Sequence, residues 1–204
     1  QIESSVMHEG KTTVAGNLAV SFGLTDKKVC VVDLDFRKAN VHRIFKVQND
    51  LGLAEYMLGT INEEQLIKHT EYKNVDIITR GGEVYNSSII LVSEKLKELI
   101  NSLREKYDYV ILDCAPVLQV SDYINILCLS DGILFLVAYG ETTRNQVADA
   151  VKELRKNNAN ILGTVFTMYD RKKDKDYGYG KGYYSYYKNY LDENEETEQE
   201  SKNQ

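Results

Sequence analysis

Four groups of side chains have the types and spacing to do chemistry. Gly10-Lys11-Thr12-Thr13 follows His8-Glu9 and leads into an apolar, alanine-rich run from Val14. Glycine lets a backbone approach an anion closely, and a helix N-terminus offers free N–H groups. A lysine can reach terminal phosphates, and a threonine hydroxyl in the first helical turn can reach a magnesium ion. Asp33 and Asp35 end the apolar run from Val29, with Arg37 two residues on. Carboxylates so placed can share metal binding and removal of a proton from an incoming hydroxyl, and Arg37 can steady them or a phosphate. Asp113 ends a further apolar run, Val110-Ile111-Leu112, and suits holding a water on magnesium. The fourth group is Tyr177, Tyr179, Tyr183, Tyr184, Tyr186, Tyr187 and Tyr190, in a stretch otherwise of glycine, lysine, serine and asparagine.

The elements that must position these groups alternate strand and helix. Val29–Asp33, Val75–Ile78, Tyr109–Asp113, Ile133–Ala138 and Ile161–Thr167 read as strands, and Gln1 to Ser4 as the end of one feeding the phosphate loop. Short helices are expected over 53–70, joined near Gly59, with further helices over 121–130 and 143–157. A single long helix is expected from Ser87 or Ser88 to about Tyr107, with Val92, Leu96, Leu99 and Leu103 as its core stripe. This alternation is the signature of an α/β fold, a mostly parallel sheet flanked by helices. Ligands of such sheets bind outside the carboxyl ends of the strands, so Asp33, Asp113 and the phosphate loop should converge on one edge.

One domain is expected over residues 1–170, truncated at its N-terminus and lacking most of its first strand. Residues 171–204 should form a disordered tail, because the tyrosine cluster and the acidic stretch from Asp192 hold too few aliphatic residues to offset the entropy of ordering. A net charge of -6 gives no support to nucleic-acid binding. No apolar run is long enough to span a membrane and no secretory pattern opens the chain, so a cytoplasmic location is expected. Cys30, Cys114 and Cys128 lack metal or redox spacing and read as buried thiols. His8, His42 and His69 are too scattered for a zinc site.

Three blocks in order, Ser5 to Thr12, Asp33-x-Asp35-x-Arg37 and Val110 to Asp113, followed by the tyrosine cluster, resemble the bacterial tyrosine kinases that regulate capsular and exopolysaccharide synthesis. The resemblance covers nearly the whole chain and implies a P-loop NTPase fold using ATP and Mg²⁺. His8 to Thr13 would bind ATP, with Lys11 on the β and γ phosphates. Thr12, Asp35 and Asp113 would order Mg²⁺, and Asp33 would be the base toward the tyrosine hydroxyl. It further implies autophosphorylation of the tail tyrosines between subunits of a ring. The implied partners are a transmembrane chain-length regulator, which activates the kinase at the inner face of the membrane, and a cognate tyrosine phosphatase. Three features depart from the pattern: Ser5 stands at the loop's first glycine, Met7-His8 where the family has Pro-Gly, and Thr167 where an asparagine reads adenine. The alternative is a nucleotide-switch ATPase of the partitioning and division-site type. Val6 stands at the signature lysine of that class, which also lacks a tyrosine-rich tail.

Overall fold

The computed structural model describes residues 1–170. Among the described residues, seven strands form one sheet in the order β3-β4-β2-β5-β1-β6-β7. They are β1 (Ile2–Ser4), β2 (Val29–Asp33), β3 (Lys68–His69), β4 (Val75–Ile78), β5 (Tyr109–Asp113), β6 (Ile133–Ala138) and β7 (Ile161–Thr167). All neighbours pair in parallel except β3 with β4. The helices are α1 (Lys11–Leu24), α2 (Val41–Ile44), α3 (Leu53–Leu58), α4 (Glu63–Leu66), α5 (Ser87–Leu91), α6 (Glu94–Lys106), α7 (Tyr123–Leu127) and α8 (Arg144–Lys156).

The β2 sequence Val29-Cys-Val-Val32 is apolar throughout because helices cover both faces of the sheet. Cys30 and Val32 pack with Leu96, Leu99 and Leu103 of α6, whereas Val29 and Val31 point the opposite way, toward Ala15 and Ala19 of α1. The register pairs Asp33 with Asp113, and Asp113 with Ile2 of β1. Both strand-end carboxylates therefore lie level with the first residue of β1.

Helix α1 lies close to its neighbours because small residues face them. A Cβ on Gly16 would stand 2.8 Å from the Ile44 Cγ2 of α2, and one on Gly23 would stand 2.5 Å from the Lys73 carbonyl oxygen before β4. These two glycines let the helix carrying Lys11 sit against both elements.

Three readings need correction. The long helix is two, because Ser93 caps α6 by accepting from the Leu96 N–H at 3.2 Å, and Val92 is 62% exposed rather than core. The helical stretch expected to 70 ends earlier, since Lys68 and His69 pair with Ile77 and Asp76 as the antiparallel edge strand. Cys30 and Cys114 are buried, but Cys128 is exposed at the end of α7. No helix among the described residues is long and apolar enough to cross a membrane. The tyrosine cluster and acidic stretch lie outside the described residues.

Candidate active site

The turn after β1 delivers the chain to α1 through two residues in the left-handed region, His8 at φ 67° and Gly10 at φ 89°. Gly10 adopts this freely, whereas a residue with a Cβ is strained there. His8 thus holds a glycine-like conformation where the tyrosine-kinase pattern has glycine. The turn leaves the first N–H groups of α1 without a preceding helical turn to satisfy them, and the positive end of the helix faces the same space.

Glu9 holds the loop from below. Its side chain is buried, with Oε2 accepting from the Val6 N–H at 2.7 Å and Oε1 from the Thr142 hydroxyl. Its carbonyl accepts from the Thr167 hydroxyl at 2.8 Å. Glu9 therefore faces inward as a strut to the ends of β6 and β7, and Thr167 is part of that strut. Sequence reasoning placed Glu9 among the phosphate-loop residues and missed this role, which depends on partners more than 130 positions away.

Lys11 is buried, its ammonium donating to the Ser4 Oγ at 3.2 Å, and Ser4 in turn donates to the Val6 carbonyl at 2.8 Å. A cleft of about 330 Å³ opens above it. His8, Gly10, Lys11, Thr12 and Thr13 line one side, and Asp35, Lys38, Asn40 and Arg43 the other, with Met168 at the rim. A larger cavity of about 520 Å³ opens at the opposite ends of β5 and β6 and contains none of these groups.

The three aspartates occupy different layers. Asp35 lines the cleft and folds its own loop, its Oδ1 accepting from the N–H groups of Arg37 at 3.1 Å and Lys38 at 2.9 Å. Arg37 thus supports Asp35 through its backbone, and its side chain is exposed. Asp33 is buried beneath. Its Oδ2 accepts from the N–H groups of Asn40 and Val41, both at 3.1 Å, and its Oδ1 from the Asp35 N–H at 3.3 Å. Burial, then the charge of Asp113, raise its pKa well above the carboxylate range, against the backbone N–H groups.

Asp113 is buried, and neither carboxylate oxygen has a hydrogen-bond partner among the described residues. Burial pushes its pKa up to about 6, with the nearby Thr12 hydroxyl and Lys11 charge acting the other way. Two orphaned, buried carboxylate oxygens are costly unless a cation or ordered water answers them. They fit the waters of a magnesium ion, which keeps several and uses few protein ligands besides phosphates. Ser5, at the loop's first glycine position, also has a buried hydroxyl with no partner among the described residues. Glu3 is also fully buried, and burial moves its pKa up to about 8.

Of the residues expected to form one site, His8, Gly10, Lys11, Thr12, Thr13 and Asp35 line one cleft, Glu9, Asp33 and Asp113 are buried, and the seven tyrosines lie outside the described residues. An AAA-domain family model matches residues 8–163. The Bacillus subtilis (strain 168) tyrosine-protein kinase YwqD is 34% identical over 178 residues, covering 87% of this chain and 75% of that protein. The Escherichia coli (strain K12) tyrosine-protein kinase etk is 33% identical over 179 residues, and this chain spans 24% of that protein's length. The solved Escherichia coli ETK kinase domain superposes with a TM-score of 0.81 at 30% identity, over 88% of this chain and 70% of that one. MinD from Pyrococcus horikoshii, complexed with Mg-ADP, shares the fold at a TM-score of 0.66 and 28% identity, over 81% of this chain and 69% of that one. With a P-loop NTPase fold and these relatives, the chain belongs to the bacterial tyrosine-kinase family.

Proposed function

We propose that the chain is an ATP-dependent protein-tyrosine autokinase. It phosphorylates Tyr177, Tyr179, Tyr183, Tyr184, Tyr186, Tyr187 and Tyr190 between subunits and so controls capsular or exopolysaccharide synthesis and export. The observation that carries this reading is the layering of the cleft, a phosphate cradle facing Asp35 with Asp33 and Asp113 directly beneath.

The first-turn N–H groups and Lys11 receive the phosphates, and Lys11 exchanges its Ser4 partner for phosphate oxygen. Thr12, Asp35 and Asp113 are the groups to hold Mg²⁺, which when bound neutralises charge on the phosphates. Asp33 is the proton acceptor. Burial and the charge of Asp113 raise its proton affinity, which favours taking up a proton. The tyrosine O–H proton passes to the Asp33 carboxylate, the phenolic oxygen bonds to the γ phosphorus, and the bond to the β-phosphate oxygen breaks, releasing ADP. Asp33 becomes reachable as the 35–41 loop, which now spends its N–H groups on it, yields to the incoming substrate.

In this reading the kinase forms a ring of copies. A transmembrane chain-length regulator recruits and activates it at the inner membrane face, and a cognate phosphatase resets it. Each phosphate adds about -1.5 to -2 charges to the tail, which loosens the ring. Incubation of the chain with Mg-ATP and the regulator's cytoplasmic segment, with phosphate mapped by mass spectrometry, tests the core of this. Phosphotyrosine at 177–190, lost in Lys11→Met and Asp33→Asn, is the expected result. ATP hydrolysis without phosphotyrosine would instead assign the chain to the nucleotide-switch class.

A further inference from the structure

Between Asp35 and Asp50 the sequence has no acidic residue, yet it carries Arg37, Lys38, Arg43 and Lys46, all exposed. None of these four has an ion-pair partner among the described residues. Lys27, Lys68, Lys73, Arg104 and Lys106 each face a carboxylate. Asp35, the nearest acid, turns to backbone N–H groups instead. The Lys38 ammonium approaches the His8 Nε2 at 3.3 Å, a contact that leaves its charge uncompensated.

This surface is built on the loop after Asp35 and on α2, which Gly16 seats directly against α1. Lys38 and Arg43 line the phosphate cleft, whereas Arg37 and Lys46 lie outside it. The basic surface thus runs past the nucleotide site, so phosphate binding does not account for all of it. In a chain of net charge -6, an unpaired basic patch at the mouth of the cleft is suited to an acidic partner.

The same sequence supplies one. Asp192, Glu193, Glu195, Glu196, Glu198 and Glu200 lie together with no base among them, beginning two residues after Tyr190. We propose that the patch of Arg37, Lys38, Arg43 and Lys46 is the docking surface for residues 192–200 of a second copy. The docked segment holds the tail while a tyrosine of 177–190 enters the cleft. The inference rests on the autokinase reading and adds to it how the acceptor is recognised. Extended chain advances about 3.3 Å per residue, so with Tyr190 in the cleft the acidic run covers a path from roughly 7 to 33 Å away. Tyrosines nearer the run have less slack and a higher effective concentration, so Tyr186, Tyr187 and Tyr190 are modified before Tyr177 and Tyr179.

The test uses full chains. The kinase carries phenylalanine at the seven tail tyrosines, and the acceptor is the Lys11→Met chain with its tail intact. Neutralising the acceptor's six acids to Asn or Gln should raise its KM by about tenfold at low salt, leave kcat within about twofold, and lose its effect as salt rises. Arg37→Glu with Lys46→Glu in the kinase should raise KM for the unaltered acceptor, and an acceptor with the six acids changed to Lys should restore it. An unchanged KM for the neutralised acceptor, or a swapped pair no better than the mismatched one, overturns the docking. So would capture of the kinase by phosphatidylserine–phosphatidylcholine vesicles through Arg37 and Lys46 with KM unaffected, which would make the patch a lipid contact. Fluorescence anisotropy of a labelled 177–204 peptide on the full chain reads docking separately. Absence of any phosphate transfer would defeat the autokinase reading, while that peptide's affinity and its dependence on Arg37 and Lys46 would still decide the docking.

Discussion

Replacing Asp33 by asparagine separates its two duties, which have different magnitudes. The carboxylate accepts from three backbone N–H groups, two at 3.1 Å on Oδ2 and one at 3.3 Å on Oδ1. The asparagine amide keeps one oxygen and turns an NH₂ toward the remaining donors, so one or two bonds are lost at about 1 kcal/mol each. Removing a buried charge beside Asp113 offsets part of that loss, because like charges there oppose one another. The net cost to stability should be about 1 kcal/mol, a small shift in the urea midpoint. Loss of the proton acceptor should cost about 10²- to 10⁴-fold in the rate of phosphotyrosine formation. Asp35→Asn provides the contrast, since one amide oxygen can still accept from both Arg37 and Lys38 N–H groups. Its stability should change by less than about 0.5 kcal/mol, with the loss appearing in the Mg²⁺ requirement. The assay is single-turnover phosphotyrosine formation beside urea denaturation of each variant. A folded Asp33→Asn chain keeping more than about a tenth of the rate would refute the assignment of the base.

Burial raises Glu3 to about 8 and Asp113 to about 6, both above their values in an unfolded chain, so the folded chain holds protons that the unfolded chain has released. Stability without nucleotide should therefore fall as pH rises from about 4.5 to 8, by about 1.4 kcal/mol per pH step of one for each proton that only the folded chain retains. Urea midpoints at pH 5.5 and 8 check this, and a higher midpoint at pH 8 would count against it. His8→Gly should be more stable than His8→Ala by about 1 kcal/mol, because only glycine removes the left-handed strain at φ 67°. Thermal melts of the pair measure it. Thr142→Val removes the hydroxyl that donates to Glu9 and accepts from the Ala138 N–H at 3.0 Å. It should cost about 2 to 3 kcal/mol by leaving buried groups unpaired, and should raise the KM for Mg-ATP by loosening the loop. Denaturation and steady-state kinetics on one preparation read both effects.

What could be read from the sequence followed from local rules. Apolar runs ending in Asp33 and Asp113 mark parallel strands whose carboxyl ends gather ligands, and Gly10-Lys11-Thr12 states its backbone geometry and its chemistry together. The features that escaped depend on distant partners or small energetic margins. Nothing near Glu9 announces that its side chain will reach Thr142. The apolar stripe through Val92 continues helical periodicity, but the Ser93 cap outweighs it and restarts the helix there. Lys68 and His69 are too short a stretch to show strand periodicity and pair only because β4 offers an edge. Asp33 and Asp35 look equivalent on paper. A small difference in position along the chain places Asp33 beside Asp113 under the loop and leaves Asp35 facing the cleft.

The two glycines of α1 have a mechanical consequence. With Gly16 pressed to Ile44 and Gly23 to the Lys73 carbonyl, the helix has no clearance to tilt or slide, and Glu9 pins the turn that precedes it. Close-packed elements yield in discrete steps or not at all. The turn and first helical residues are then set by packing within the chain itself. The 34–46 segment opposite is anchored too, by buried Leu34, Phe36, Val41 and Phe45, so what is left to yield there is the set of backbone hydrogen bonds that Asp35, Asn40 and Val41 donate to Asp33.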